Sequence, residues 1–393
     1  MERTTIAIDL AQSVFQVAVS SRHGSIDVER RLSRDRFLTF FAQQPPAKVV
    51  VEACGSAHHW ARQLQRLGHT VRLLPAHDVH RYVRRNKTDR MDAKALLEAD
   101  RHEDIHAVPV KTVEAQAIAS LHRLRSAWVA TRTARLNGLR GLLREFGIGI
   151  PLGAHHVVPR VRELLVEPTP VPDLVRAALA NACDEIAGLE ANMTAVEHQL
   201  LTIGSTMSAV ALLQTVPGIG WLTATALVAL VSDIRRCRSG RHCASFLGLT
   251  PKEHSTALHR RLGAISKQGA VYLRMLLIHG ARTVLWHARA KAHPTALQRW
   301  AVHTAGHRGP NVAAVAVANK LARIVWAVWA RQRPYEAEPL PVGGESTGTR
   351  FSRELHRARS ANGAPVRPAR GKPDKAPGLS GRCSGWDPAR IVP

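Results

Sequence analysis

The 393-residue chain is poor in cysteine and in long apolar runs. Its five cysteines are scattered without a CxxC pair, which argues against a disulfide framework and a four-thiolate zinc site. No uncharged apolar run reaches about 18 residues, because Lys320 and Arg323 interrupt the Trp-rich stretch 312–330. Acidic Glu2 and Asp9 stand where a signal peptide would need a basic start and an apolar core. We therefore expect a cytoplasmic protein that does not span a membrane.

Acidic residues are also scarce relative to basic ones. The chain has 55 Lys and Arg against 30 Asp and Glu, a formal net charge of +25. Such a surplus indicates a polyanionic partner, with nucleic acid as the first candidate and an anionic membrane surface as the rival. The hydrophobic content of 45% is enough to build cores, and the length allows two or three domains.

Residues 1–112 predict a layered α/β domain. The stretch TIAIDLAQSVFQVAV (5–19) is rich in β-branched residues and predicts one strand, followed by a turn at His23-Gly24 and a second strand. The later elements are a helix over 35–43, a strand over 48–53, a helix over 57–67 and the strand TVRLLP. We read the order as β-β-β-α-β-α-β, which is typical of a mixed sheet covered by helices.

Residues 113–208 predict a helical region. Over 113–146, arginines alternate with apolar positions, so that one side can pack while the other meets phosphates; residues 151–172 are rich in proline and predict irregular or short helical structure. Apolar residues then recur at spacings of four and three: Val175, Leu179, Ala182, Ile186, Leu189, Met193, Val196 and Leu200. This heptad seam predicts a coiled coil or a helical hairpin, and it serves dimerisation and packing within one chain equally well.

Residues 209–333 predict a second compact domain, mainly helical. The segment LLQTVPGIGWLTATALVALV predicts two helices joined by a tight turn, in which Gly218 and Gly220 let backbone amides approach a phosphate. Beyond Arg333 the composition changes, with nine of the 22 prolines in the last 60 residues. Residues 334–393 therefore predict a disordered basic tail.

Four carboxylates of the first domain occupy suggestive positions. Asp9 follows the apolar run IAI and Glu52 follows VVV, while Asp89 and Asp92 lie three residues apart at the start of a predicted helix. That spacing puts the two aspartates on one helix face, and all four acids are expected at one edge of the sheet. Such a cluster is best satisfied by Mg²⁺, and two ions about 3.5–4 Å apart can clamp the attacking and leaving oxygens of a phosphodiester. Taken singly, each acid is more often a cap, a turn residue or helix-dipole compensation.

A serine-containing basic segment follows in the second domain. In FLGLTPKEHSTALHRRLGAISKQGAVYLRMLL, Ser255 and Ser266 stand among basic side chains that can neutralise a phosphate and stabilise charge developing on it. A serine aided in this way can attack phosphorus, although the spacing alone favours a plain hydrogen bond from serine to the DNA backbone. The residues expected to contact nucleic acid are Lys252, Arg260, Arg261, Lys267, Arg274, Arg84, Arg85, Lys87, Gly218 and Gly220.

Taken together, these motifs resemble a known family. The segments AIDLAQSVFQV, VVVEACGSAHHWARQL, GHTVRLLPAHDVHRYVRRNKTDRMDAKALLEA and LRGLLREFGI, with VPGIGWLTATALVALV and the serine segment, are similar to DEDD insertion-sequence transposases. These are the IS-one-ten family, especially its one-one-one-one subgroup, related to the Piv DNA invertase. The resemblance covers residues 4–330. Two departures are Arg90 and Met91 between the paired aspartates and Ala257-Leu258 where glycines are usual.

The resemblance implies a RuvC-like (RNase H-type) N-terminal domain, a coiled-coil dimerisation element and a C-terminal transposase domain. Asp9, Glu52, Asp89 and Asp92 would be the metal-binding DEDD tetrad and Ser255 the nucleophile. The implied activity is site-specific recombination of DNA at element ends and targets, with Mg²⁺ as cofactor and a structured bridge RNA as guide. A dimer or tetramer is the implied assembly.

Two other functions stay compatible with the residues. A Holliday-junction resolvase would use the same acids with water as nucleophile, so that no serine becomes linked to DNA. A non-catalytic nucleic-acid-binding protein would use the Pro-Gly-Ile-Gly turn and the basic helices, and it would tolerate loss of all four acids.

Overall fold

The computed structural model describes residues 4–22, 25–82, 89–167, 170–256 and 259–337, without the side chains of residues 89 and 90. Three of the predicted nucleic-acid contacts, Arg84, Arg85 and Lys87, lie outside the described residues. So do the predicted turn at His23-Gly24 and the tail from residue 338.

The N-terminal part contains a five-stranded mixed sheet of order β3-β2-β1-β4-β5. Its strands are β1 (Thr5–Leu10), β2 (Val14–Ser20), β3 (Val28–Ser33), β4 (Lys48–Glu52) and β5 (Thr70–Leu74). β2 pairs antiparallel with β1 and β3, whereas β4 lies parallel between β1 and β5. The prediction of a mixed sheet with β-β-β-α-β-α-β order is confirmed. The prediction of one strand over 5–19 is wrong, because the chain reverses at residues 11–13 and forms two strands.

Helices cover both faces of this sheet. They are α1 (Arg34–Ala42), α2 (Ala57–Arg66), the short α3 (Ala76–Val79) and α4 (Asp89–Asp100). On one face Ile6, Ile8, Val49 and Val51 pack with α1 and α2 in an aromatic core. Its rings meet edge to face, with Phe15, Phe37 and Trp60 centroids 4.8–5.1 Å apart, a geometry that adds about 0.5–1.5 kcal/mol per pair beyond burial.

The opposite face carries smaller side chains and a single long helix. Ala7 and Ala18 of the sheet, with Val50, pack against Ala93 and Leu96 of α4. Because strand side chains alternate between faces, small residues at these positions let the helix lie close to the sheet. This face therefore positions α4 directly over β1, β2 and β4.

Two 33-residue helices, α5 (Val113–Glu145) and α7 (Asp173–Ser205), form an antiparallel pair. Their ion pairs fix the register: Arg125 Nε lies 2.6 Å from Glu197, Arg132 Nε 2.5 Å from Glu190 and Arg135 Nε 2.9 Å from Glu185. The heptad residues Leu179, Ile186, Val196 and Leu200 are buried within the chain. The predicted seam thus packs intramolecularly, as a helical hairpin in which α6 (Val157–Val166) caps the connecting end. Its use in dimerisation stays a prediction.

The C-terminal part is mainly helical and has its own apolar core. Its elements are α8 (Ser208–Gln214), α9 (Trp221–Val231), α10 (Gly240–Phe246), β6 (Pro251–Glu253), β7 (Leu262–Ile265), α11 (Val271–Ala290), α12 (Ala296–Arg308) and α13 (Pro310–Arg331). By length and composition α13 could span a membrane, but its apolar residues pack against α10, α11 and α12 in this core. A mixed α/β part followed by a mostly helical part agrees with the predicted fold class.

Candidate active site

The sheet brings Asp9 and Glu52 together at one edge. β1 and β4 run parallel with Ile8 opposite Val51, so Asp9 and Glu52 occupy the next register position at the carboxyl ends of both strands. Neighbouring strands lie about 4.8 Å apart. Since Ile8 and Val51 face the aromatic core, the alternation of side chains directs Asp9 and Glu52 to the face covered by α4. Both acids are half-buried.

The orientation of α4 brings its first turn to the same edge. Asp100 at the end of α4 pairs with Lys48 at the start of β4, and it accepts a hydrogen bond from Arg72 Nη1 at 2.5 Å. Asp92 lies eight helical residues before Asp100, about 12 Å, and Glu52 lies four strand residues after Lys48, about 13 Å. The two lengths are similar, so α4 runs from Asp100 toward the same edge, and Asp89 lies about one turn before Asp92.

This edge of the sheet carries Asp9 and Glu52 on two strands, while Asp92 lies on the helix that packs over the sheet and the backbone of Asp89 starts that helix. Convergence of the four acids on one ion site stays a prediction. Among the side chains that the structure describes, no three acidic, histidine or cysteine groups approach closely enough to hold a metal ion. Carboxylate oxygens are the ligands that hard divalent cations prefer, so the residue types fit such an ion.

Asp100 is a positioning residue that the sequence analysis missed. Its carboxylate is buried, with 8% of the residue exposed, and it is compensated by two basic groups from β4 and β5. A buried charge without those partners would be strongly destabilising. The sequence signal for this buried acid was Lys48, a charged residue at the start of an apolar strand, which calls for an acidic partner.

Ser255 lies on an exposed β-hairpin formed by β6 and β7. Its hydroxyl donates a hydrogen bond to Glu253 Oε1 at 2.6 Å and accepts one from the backbone N–H of Arg261 at 3.1 Å. Arg260 Nε approaches the same Glu253 oxygen at 3.3 Å. The hydrogen bond from Ser255, with a smaller contribution from Arg260, holds the pKa of the Glu253 carboxyl below its ordinary value. The serine is thus held by a pair of partners while it faces solvent.

The root of this hairpin is rigidly held by Arg274 and two glycines. Arg274 has 7% of its surface exposed, and its Nη1 donates to the carbonyl oxygens of Leu247 and Gln268, both at 3.1 Å. Gly248 and Gly269 adopt φ angles of 68° and 77°. The structure therefore gives Arg274 a buried supporting role at the hairpin root, where its guanidinium does not face a nucleic-acid surface.

Replacing Gly248 by alanine is expected to destabilise the hairpin root. A Cβ there would lie 2.1 Å from the Gln268 carbonyl oxygen and 2.7 Å from Arg274 Nη1, in a backbone conformation that favours glycine. We expect Gly248→Ala to lower the free energy of unfolding by about 2 kcal/mol or more, measured by thermal or urea unfolding. Gly263→Ala on the same hairpin is the control, because its Cβ would meet nothing closer than 3.8 Å. Equal stability of the two variants would contradict the assignment.

The other predicted nucleic-acid contacts differ in their surroundings. Lys252, Arg260, Arg261 and Lys267 are all exposed on or beside the hairpin. In the Pro-Gly-Ile-Gly turn between α8 and α9, a Cβ on Gly218 would lie 2.6 Å from the Gly280 carbonyl oxygen of α11, whereas Gly220 has open space around it. Close packing on α11 thus accounts for Gly218, while a phosphate contact at Gly220 stays a prediction.

Comparison with known proteins identifies the family of both parts of the chain. The family model described as "Transposase IS116/IS110/IS902 family" matches residues 210–296, which include the serine hairpin, and a DEDD transposase model matches residues 6–148, which include the acidic edge. A probable family 20 transposase from Pseudomonas aeruginosa is 43% identical over 338 residues, covering 85% of this chain and 99% of that protein. The chain belongs to the IS110 transposase family.

More distant members agree with this assignment. The transposase for insertion sequence element IS1111A from Coxiella burnetii is 35% identical over 331 residues, 84% of this chain and 90% of that protein. The pilin gene-inverting protein of Moraxella lacunata is 22% identical over 362 residues, 86% of this chain and 98% of that protein. Membership of the IS110 family implies DNA binding and an enzymatic role in DNA recombination.

Proposed function

We propose that this IS110-family protein is a site-specific DNA recombinase that excises and inserts its own insertion sequence through a serine nucleophile. The observation that supports the proposal most directly is the Ser255 hydroxyl, exposed on a hairpin with fixed partners and surrounded by exposed Lys252, Arg260, Arg261 and Lys267. The second supporting observation is the adjacent register of Asp9 and Glu52 at one sheet edge, with the helix that carries Asp92 packed over the same sheet. A RuvC-like classification of the N-terminal sheet is part of the proposal.

The proposed step is a transesterification at phosphorus. The Ser255 oxygen forms a bond to the phosphorus of a DNA phosphodiester while the bond to one deoxyribose oxygen breaks, and that oxygen leaves with one proton in exchange for the serine proton. Basic side chains on the hairpin neutralise the phosphate oxygens as charge develops on them. Reversal of the same step on a second DNA end restores the serine hydroxyl and exchanges the strands.

Asp9, Glu52, Asp89 and Asp92 would hold Mg²⁺, with two ions as the expected number. When bound, these ions polarise phosphoryl oxygens and stabilise the attacking and leaving oxygens. The protein's contribution is to fix the acids: two by adjacent strand ends, and two by a helix that Lys48 and Arg72 anchor at its far end.

A structured bridge RNA and a homo-oligomer complete the proposal, both supported by the family resemblance and by the net charge of +25. The direct test combines purified full-length protein, Mg²⁺, DNA carrying the element ends and RNA transcribed from the non-coding flank of the gene. Recombinant junctions and a peptide bearing phosphoserine-linked DNA are the expected products. Cleavage without a protein-linked intermediate would instead support a water-using resolvase.

Glu253 is expected to position Ser255 and not to remove its proton. A carboxylate whose pKa is lowered is a poor proton acceptor near neutral pH, whereas its oxygen still accepts the serine hydrogen bond at 2.6 Å. Glu253→Ala should slow formation of the covalent DNA adduct by roughly tenfold to a hundredfold, while Glu253→Gln, which keeps an accepting oxygen, should retain most of the rate.

The measurement is the initial rate of adduct formation at saturating DNA between pH 6 and 9, with thermal unfolding recorded for each variant. Loss of activity in Glu253→Gln as severe as in Glu253→Ala would show that the charge is required, and the positioning role would be rejected. An unchanged rate in Glu253→Ala would reject any role for this residue.

A further inference from the structure

Three basic residues from separate segments of the chain lie in the region of α2 and α10. Lys111 precedes α5, Arg123 lies on α5, and Arg236 lies between α9 and α10. We call them the junction cluster. The segment that leads to Lys111 is held against α10, where the rings of His106 and His242 lie 5.4 Å apart. Burial first, and repulsion from Arg123 and Arg236 second, lower the pKa of Lys111.

The backbone of Lys111 is anchored by α2. Its N–H donates to Nδ1 of His58 at 3.3 Å, and its carbonyl oxygen accepts from Nη1 of Arg62 at 2.7 Å. Burial, followed by the charge of Lys111, lowers the pKa of His58 to about 4, so at neutral pH the ring is uncharged and able to accept this bond. Arg236 in turn stacks on Phe246, with its Cζ 4.2 Å from the ring centroid. These contacts hold the backbone of Lys111 and the guanidinium plane of Arg236 in place.

The junction cluster lacks the compensation that other arginines of the same helix have. Arg125, Arg132 and Arg135 of α5 each pair with a glutamate of α7. Within the described ranges, no ion pair with a carboxylate is formed by Lys111, Arg123 or Arg236.

Asp233 is the acid that acts on Arg236, but its carboxylate is bound to Arg235 at 3.1 Å. Like charges at close range, partly withdrawn from water, repel one another and lower stability unless an anion joins them.

We infer that the junction cluster is a phosphate-binding site for a nucleic-acid backbone, separate from the serine hairpin and the acidic edge. A lysine and two arginines, one of them stacked on an aromatic ring, match in charge and in donors the oxygens of a phosphodiester chain, whose recognition needs no base contact. The inference depends on nucleic-acid binding by the proposed recombinase, and it does not depend on which residue is the nucleophile.

The test compares full-length Lys111→Gln, Arg123→Gln and the double variant with Arg132→Gln. The control removes the same charge from the same helix, but from a residue already paired with Glu190. Affinity for a duplex DNA and for a single-stranded RNA of equal length is measured across salt concentrations. For the junction variants, the slope of log affinity against log salt should fall by roughly 0.9 per lost duplex phosphate or roughly 0.7 per lost single-strand phosphate.

The outcomes separate the possible ligands. A reduced slope on DNA alone, on RNA alone or on both identifies the strand that occupies the junction cluster. Slopes equal to that of Arg132→Gln on both probes would overturn the inference. The double variant should unfold at the same or a higher temperature than the unsubstituted protein, because repulsion is relieved; a lower temperature with unchanged slopes would indicate a purely structural role. Adduct formation by Ser255 is assayed separately, so failure of one proposal is distinguishable from failure of the other.

Discussion

Ser255→Ala is expected to abolish the covalent link between protein and DNA while leaving DNA binding intact. The hydroxyl that we propose as nucleophile is exposed, and it is held by Glu253 and the Arg261 N–H. Removing one oxygen atom from an exposed hairpin changes neither its backbone pairing nor its charge. Adducts should therefore fall below detection in denaturing gels of protein incubated with radiolabelled element ends, with the dissociation constant for the same DNA changed less than about threefold.

Ser266→Ala provides the matched control for this experiment. Ser266 closes the same hairpin through a bond from its backbone N–H to the Thr250 carbonyl oxygen at 2.8 Å, which alanine preserves; alanine removes only a long hydrogen bond that the Ser266 Oγ accepts from the Gln268 N–H at 3.5 Å. This variant should form adducts at the normal rate. Adducts that persist in Ser255→Ala and disappear in Ser266→Ala would reassign the nucleophile, and adducts in both would remove serine at these positions from the mechanism.

Asp92→Asn is expected to eliminate strand exchange that depends on a divalent cation. Asp92 lies near the start of α4, and it is one of the four acids that we propose as ligands of Mg²⁺. Loss of one anionic ligand should weaken the stabilisation of phosphoryl oxygens by several kcal/mol, which corresponds to a rate decrease of at least about a hundredfold. Recombination is measured as a function of Mg²⁺ concentration, and partial recovery at high Mg²⁺ would support a ligand role.

Glu98→Gln is the control for Asp92→Asn on the same helix. Glu98 pairs with Arg101 at 2.9 Å near the other end of α4, away from the sheet edge. It should recombine normally. If Asp92→Asn does so too, with an unchanged Mg²⁺ requirement, the metal-binding edge is wrong.

Local patterns were sufficient to predict most elements but not how they pair. The stretch 5–19 shows no glycine or proline where the chain reverses, so a hairpin looked like one strand. The prediction of a helix over the heptad seam from Val175 to Leu200 is confirmed. Its partner α5 was predicted as a helix as well, but the pairing depends on arginine–glutamate contacts between residues about 50 to 70 positions apart, which periodicity does not report.

The candidate site shows the same limit. Acids that follow apolar strands predict a carboxylate-bearing edge of the sheet, because parallel strands end together. The position of α4 along the sheet depends on the contact between Lys48 and Asp100, which are 52 positions apart, and no local pattern reports it. Arg274 looked like the other basic residues of its segment, and only its burial distinguishes it from the exposed Arg260 and Arg261. Glu253 was passed over because a glutamate between basic residues has no recognisable signature until its contact with Ser255 is seen.

The paired helices α5 and α7 are long enough to be compared with a turn of DNA. Thirty-three residues of helix extend about 50 Å, whereas one turn of B-form DNA measures about 34–36 Å. The two ends of the hairpin have separate apolar cores, one with α6 and one with α9. The hairpin is therefore longer than one full turn of duplex DNA, and an apolar core at each end holds its two helices together over that length.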